Sequence, residues 1–289
     1  MPKVSIVTDS CASIPENLLK KLNIHWVPYY IHQGEDVLRD LVTIKRERFY
    51  QYLPSLQILP KTASPGPGDY VKTYERLIQD GTDEIVSIHM TSKGSGAYQA
   101  AIAASKMVME KFPNLKLEVI DTLNVSLCQG WMVIEAARDA LKGVSFEAIV
   151  KRVKSIMPHA QMLQTAGTLK YLYMGGRIGK AKHLLAGMLN IKPIIGMEDG
   201  VIVALGQTRT FRRVYQRMIE IIEENVGPKG KIKIAYVHAA AAEEAEKLKE
   251  MVEVRLTCVE SFIAELSPAL GVHTGPGTVG VCYYPVLEG

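Results

Sequence analysis

The sequence predicts a two-domain α/β protein: an N-terminal doubly wound parallel sheet over residues 1–160, then a C-terminal α+β domain over residues 161–289. Three observations predict it. Buried-type strands alternate with helical segments through the first half, the pattern of a parallel sheet with crossover helices. Near Gln161 the pattern changes to short helices and a hairpin with a turn signal at Asp199-Gly200. A chain of 289 residues also has room for two domains of ordinary size.

The elements follow in order. "KVSIVTDS" (3–10) is an opening strand, and "SIPENLLKKLN" (13–23) a short helix with Ser13 and Glu16 spaced as a capping box. "IHWVPYYIHQG" (24–34) reads as one extended run and "TIKRERFYQYLPS" (43–55) as a helix. A Pro/Gly-rich loop, "ILPKTASPGPGDY" (58–70), leads into a helix that ends at Gly81. "DEIVSIHMTS" (83–92) is a buried strand, "KGSGAYQAAIAASKMVMEKF" (93–112) a small-residue loop opening a long helix, and "KLEVIDTL" (116–123) a further strand. Two helices follow, the second stopping at Pro158. In the second half "QMLQTAG" (161–167) is a strand, while "TLKYLYMGG" (168–176) and "KAKHLLAGML" (180–189) are helices. After the hairpin come the amphipathic helix "FRRVYQRMIEIIEENV" (211–226), a strand over 231–239, a helix from about Ala241 and a strand over 255–264. The stretch "LGVHTGPGTVGVCYYP" (270–285) reads as a rigid loop, with His273 and Thr274 set ahead of Gly275, Pro276 and Gly277, followed by a last strand.

Composition narrows the function. The chain is 47% hydrophobic and 22% charged, so it can bury a sizeable core. A net charge of +4 is too small to imply nucleic acid, and the arginines of "FRRVYQRM" read as a solvated helix face. Cys11, Cys128, Cys258 and Cys282 stand far apart with no CxxC pair, which predicts neither a metal site nor a disulfide framework and fits a reducing cytoplasm. No signal segment opens the sequence and no apolar run is long enough for an integral membrane segment.

Three loops can carry chemistry: "TASPG" (62–66), "TSKGSGAY" (91–98) and the "HTGPG" stretch. The second lies at the carboxyl end of a strand of the doubly wound domain, where ligands bind. Ser92, Ser95 and the N–H groups near Gly96 surround the start of a helix, a natural anion site, although Ser95 would also serve as a plain cap. A serine between glycines invites an alternative reading, an esterase or phosphate-ester hydrolase with Ser95 as nucleophile, His273 as base, and Asp9 or Asp121 orienting it. Lys93 and Ala97 occupy the places where a nucleophile elbow needs glycine. No Gly-Lys-Ser/Thr loop is present and "GGRIG" is no dinucleotide fingerprint, so the chain carries no nucleotide loop of its own. The apolar stretch from Leu184 to Ile195 fits ordinary core packing and an apolar ligand tunnel equally.

Taken in order, "VTDS", "KTASPG", "TSKGSGAYQAA", "VIDT", "LKYLYMGGRIGKAK", "LNIKPII" and "GVHTGPG" resemble the DegV family from residue 4 to about residue 284. The resemblance implies a bacterial fatty-acid-binding protein without catalytic residues, cofactor or metal, whose ligand is a long-chain fatty acid. It implies a carboxylate held at the domain interface by Thr62, Ser95, Gly96, His273 and Thr274. It implies an acyl-chain pocket formed largely by the second domain, for which Leu184, Leu185, Met188, Leu189, Ile191 and Ile194 are the candidates. It also implies a partner, a separate ATP-dependent fatty acid kinase engaged through Arg177 and Arg209. The sequence departs from the family pattern at Gly94, Ala97, Thr122 and Gly179, where Leu, Thr, Ser and Ser are usual.

Overall fold

The structure, a computed structural model, describes residues 4–187, 191–227 and 230–286. Strands β1 (Val4–Asp9), β2 (Ile24–Val27), β6 (Glu84–His89) and β7 (Lys116–Asp121) form a parallel sheet of order β2-β1-β6-β7. Between β2 and β6, β3 (Tyr30–Gln33), β4 (Asp36–Arg39) and β5 (Lys61–Ala63) make a small antiparallel sheet. The helices of this half are α1 (Glu16–Lys21), α2 (Arg46–Tyr52), α3 (Pro67–Gln79), α4 (Ala97–Lys111), α5 (Leu127–Leu141) and α6 (Phe146–Ile156). Along β1, Ile6 and Val7 point to opposite faces, as strand geometry demands. Val7 packs with Tyr70, Tyr74, Ala101 and Ala104 of α3 and α4. Ile6 packs with Trp131 and Ile149 of α5 and α6. Both faces are covered, which is the doubly wound arrangement read from the sequence.

The second half builds a mixed sheet of order β10-β9-β8-β13-β11-β12 from β8 (Gln161–Thr165), β9 (Lys192–Glu198), β10 (Val201–Thr208), β11 (Lys231–His238), β12 (Thr257–Glu265) and β13 (Val279–Pro285). Its helices are α7 (Lys170–Met174), α8 (Phe211–Val226), α9 (Ala242–Glu253) and α10 (Pro268–Thr274). The β9–β10 hairpin turns at Asp199 and Gly200, with φ of 48° and 77°, the two left-handed residues that a tight hairpin needs. One face of the sheet is sealed by α8 and α9 through Val214, Tyr215, Met218, Leu248 and Val252.

Helix α5 joins the two sheets. Every residue from Leu127 to Ala137 is buried, so this helix is covered on all sides. Trp131 lies in a core shared with Ile6 and Val86 of the parallel sheet and with Ala235 and Tyr284 of the mixed one, and its Nε1–H donates to Cys282 O at 3.0 Å. Polar ties reinforce the seam: Arg46 Nε donates to Glu265 O at 2.8 Å, and Glu135 takes ion pairs from Arg138, Arg152 and Lys233.

Four expectations change. Ser13 does not cap α1: it sits at φ 54° and its Oγ accepts from Ser267 N at 2.9 Å, while α1 begins after Pro15 with no side-chain cap. The run 24–34 is two strands in two sheets, broken at Pro28, which has no N–H to continue the ladder. Residues Gly179–Gly187 form 3-10 turns where an α-helix is expected. His273 and Thr274 are not in a loop but close α10, a helix capped by Ser267, opened by Pro268 and ended by Gly275 at φ 74°.

Candidate functional site

The carboxyl ends of β1 and β6 open into a cavity of about 400 Å³ between the parallel sheet, the β8–β10 face and α10. The strand-end loops bring Cys11, Met90, Thr91 and Ser95 to it, β5 brings Thr62, and α10 brings Leu270 and His273. Thr62, Ser95, Gly96, His273 and Thr274, drawn from three distant parts of the chain, all line this one cavity.

Two hydrogen-bonded pairs dominate its polar end. Thr62 Oγ1 and His273 Nε2 are 2.7 Å apart, and Ser95 Oγ and Tyr29 OH are 2.6 Å apart. Ser95 Oγ also accepts from Ala97 N at 3.3 Å, but Ser95 is not the cap of α4: the N-cap is Gly96, and the helix has no side-chain cap. Gly96 leaves room for Ser64, whose Oγ would lie 3.2 Å from a Cβ at that position. Thr274 turns its hydroxyl back to Leu270 O at 3.2 Å, so its proton is committed to the helix.

His273 is neutral near pH 7. Burial, and then the positive charge of Arg177, lower its pKa to about 4. Its Nδ1 is buried without a partner among the described residues. Space for the ring depends on Gly175: a Cβ there would lie 2.2 Å from His273 Nδ1. Burial, with Cys11 and Asp9 adding to it, raises the Tyr29 pKa well above its ordinary value, so the phenol keeps its proton. With Tyr29 and His273 as donors, the hydroxyl protons of Ser95 and Thr62 are free to point into the cavity. The polar end then offers neutral donors, and the cations that line the cavity, Arg177 and Lys93, are both exposed. At the rim Arg177 donates through Nη1 to Gly175 O at 2.7 Å and through Nε to Gly94 O at 3.5 Å, linking the two halves of the chain. Arg209 is exposed between β10 and α8 and does not line the cavity.

The apolar wall is not the one expected. Met90, Met162, Met197, Val125, Leu172 and Ile202 face the cavity. Leu184, Leu185 and Ile191 instead pack together with Leu169, Ile178 and Ile195, and Ile194 packs against Val214 and Met218, because each fills space behind the β9–β10 hairpin or beneath α8. Met188 and Leu189 lie outside the described residues. Tyr29 and the three methionines carry no motif that sequence reading would single out, while Gly175 lies in the quoted "LKYLYMGGRIGKAK" stretch without any local sign that it makes room for His273.

The hydrolase constellation is not assembled. His273 is paired with Thr62, and Ser95 with Tyr29. Asp9 binds a different histidine, His89, at 3.0 Å in a fully buried chain that continues through Ser87 to Tyr74. Asp121 accepts from the N–H groups of Ser92 and Leu123. Among the described residues no group of His, Cys, Asp and Glu could hold a metal ion, and no helix is long and apolar enough to cross a membrane.

The DegV family model, described as one of uncharacterised proteins, matches residues 3–286. The chain belongs to the DegV family. A DegV domain-containing protein of Halalkalibacterium halodurans is 32% identical over 286 residues, 98% of this chain and 99% of that one. Among solved structures, a fatty-acid-binding DegV family protein from Thermus thermophilus superposes with a TM-score of 0.91 at 27% identity, covering 98% of this chain and 100% of that one. A stearic-acid-binding protein from Eubacterium ventriosum superposes with a TM-score of 0.89 at 29% identity, covering 99% and 98%. Two departures from the DegV pattern bear on the cavity, since Gly94 and Gly179 both line it. At Gly179 the φ of 57° and the Ile202 carbonyl 2.5 Å from a Cβ leave no room for a side chain. At Gly94 a Cβ would press on Thr91 Cγ2 at 3.2 Å.

Proposed function

We propose that this DegV-family chain is a cytoplasmic carrier that binds a long-chain fatty acid, with the carboxylate at Thr62 and Ser95 and the chain along the methionine wall. Its two lobes, residues 1–160 and 161–289, would meet at the carboxylate. The observation that carries the reading is a pair of hydroxyls, each backed by a neutral group (His273 behind Thr62, Tyr29 behind Ser95), at one end of a cavity with an apolar wall. The fatty acids bound by the structural neighbours from Thermus thermophilus and Eubacterium ventriosum support it.

The energetics agree. Each buried methylene contributes about 0.8 kcal/mol, so a chain of roughly fifteen supplies on the order of 12 kcal/mol before the costs of association. The head group then needs satisfying rather than neutralising. A carboxylate held by neutral donors keeps more of its charge than one in a salt bridge, and so remains a better nucleophile toward a phosphoryl donor. This supports the second half of the proposal, that the bound acid is presented to a separate ATP-dependent fatty acid kinase, with Arg177 and Arg209 facing the partner. Both side chains are exposed. Lipid extraction and mass spectrometry of the purified protein test the reading: a recovered acyl chain of roughly sixteen carbons is expected, by likeness to the family, and protein that neither carries nor takes up a fatty acid overturns it.

A further inference from the structure

Deeper in the same cavity lie polar groups that a carboxylate at Thr62 and Ser95 would not use. Met162 and Gln164 are alternate residues of β8 and share one face, while Leu163 between them joins the core on the other. On the neighbouring strand Cys282 pairs with Met162, and Gly280 pairs with Gln164. Gly280 is bare for a reason: a Cβ there would lie 2.5 Å from Gln164 Cγ and 2.3 Å from Leu163 O. Gln164 therefore lies across the glycine and lines the cavity. It is only 3% exposed, and its amide makes no hydrogen bond to any described residue.

Ser126 is the second such group. It is the N-cap of α5, held at φ 59° and ψ −146°, a backbone conformation that costs a non-glycine residue strain. It is fully buried, lines the cavity, and its Oγ has no hydrogen-bond partner among the described residues. The nearby Cys282 thiol feels the hydroxyl, but the two form no hydrogen bond of normal geometry. Cys282 pairs with Met162, two residues along the same face from Gln164, and Ser126 and Gln164 both line the cavity on this side. The surrounding wall is Met90, Val125, Met162 and Met197.

A saturated chain laid along this wall would desolvate the Gln164 amide without pairing it and leave the buried Ser126 hydroxyl as unpaired as before, which is the costly state for a buried polar group. A hydroxyl on the chain removes that cost, since it can donate to Gln164 Oε1 and accept from the Ser126 hydroxyl. We propose that Gln164 and Ser126 form a mid-chain polar subsite and that the preferred ligand is a long-chain hydroxy fatty acid. The proposal rests on the fatty-acid reading of the same cavity.

The test uses the full, delipidated chain, stearic acid, and a series of hydroxystearic acids with the hydroxyl at successive carbons, each titrated calorimetrically. One position in the series is expected to bind about tenfold or more tighter than stearic acid, because a site built to hydrogen-bond a hydroxyl discriminates against the analogue lacking it. Gln164→Leu and Ser126→Ala should each collapse that ratio and strengthen stearic acid itself. Two substitutions on different elements keep the test open if one variant does not fold. Stearic acid binding as tightly as every hydroxy acid, as it would if water filled the subsite, overturns the proposal while leaving fatty-acid binding intact. So does a preference that survives in both variants. No binding of any acid in the series overturns both readings.

Discussion

Gly175→Ala should damage the carboxylate site while every side chain that lines the cavity keeps its identity. Gly175 follows α7 at φ −75°, where alanine is unstrained, so the whole effect is steric. The new Cβ would lie 2.2 Å from His273 Nδ1, 3.0 Å from Cε1 and 3.1 Å from Tyr171 O. Ordinary contact needs about 3.5 Å, so the ring must retreat by about 1 Å or more. Either that movement breaks the 2.7 Å contact with Thr62, or α7 shifts and carries the Arg177 bond at Gly175 O with it. Overpacking costs about 1–3 kcal/mol and the lost hydrogen bond about 0.5–1.5 kcal/mol, so a destabilisation of about 2–4 kcal/mol is expected. Fatty-acid affinity should fall about 10- to 100-fold, because Thr62 loses the group that orients it. The assay is a urea melt beside a calorimetric titration with stearic acid. Gly143→Ala is the control: it forces alanine to φ 74° at the end of α5 with nothing within 4 Å, so it should cost about 1–2 kcal/mol of stability and leave binding alone. Wild-type stability and affinity in Gly175→Ala would refute the steric coupling of α7 to His273.

Two further predictions concern charge. The His273 pKa falls from 6.5 to about 4 on folding, so its contribution to stability is complete above about pH 6.5 and is lost as the pH drops through about 4. The full loss is about 3 kcal/mol, and His273→Asn should remove that part of the pH dependence in urea melts compared at pH 7 and pH 4. Arg209→Ala should leave fatty-acid binding as it is and reduce phosphorylation in a reconstituted kinase reaction, whereas Arg177→Ala should weaken both, because that side chain also ties Gly94 to Gly175 at the cavity rim; full phosphorylation of acid bound to Arg209→Ala would remove Arg209 from the docking surface.

Much of this architecture is legible in the sequence because local signals and tertiary structure agree. The alternation of apolar strands and helices marks the parallel sheet, and Asp199-Gly200 marks the β9–β10 hairpin of the mixed sheet. The Ser95 loop of the candidate site is legible because Ser95 and Gly96 sit where a strand end meets a helix start. What was hidden depended on partners far away in the chain. Pro28 divides one extended run between two sheets, and nothing local says that β3 will pair with β5. Helix α10 has a readable start in Ser267-Pro268, but its seven residues are masked by the glycines that follow. Tyr29 becomes a site residue only because β2 ends beside the Ser95 loop. The stretch from Leu184 to Ile195 has the composition of a ligand wall, yet its described side chains fill core, while isolated methionines on three separate elements take the wall. Composition records apolarity and not direction.

The central claim is that neutral hydroxyls hold a fatty-acid carboxylate, and its most direct measurement is the calorimetric titration of delipidated wild-type protein and the Thr62→Val/Ser95→Ala double variant with stearic acid. Each lost hydrogen bond to a charged group is worth about 1.5–3 kcal/mol, so the double variant should bind at least about 100-fold more weakly while melting as a folded protein. A folded double variant that titrates like the wild type would contradict the account, since the carboxylate would then be held elsewhere.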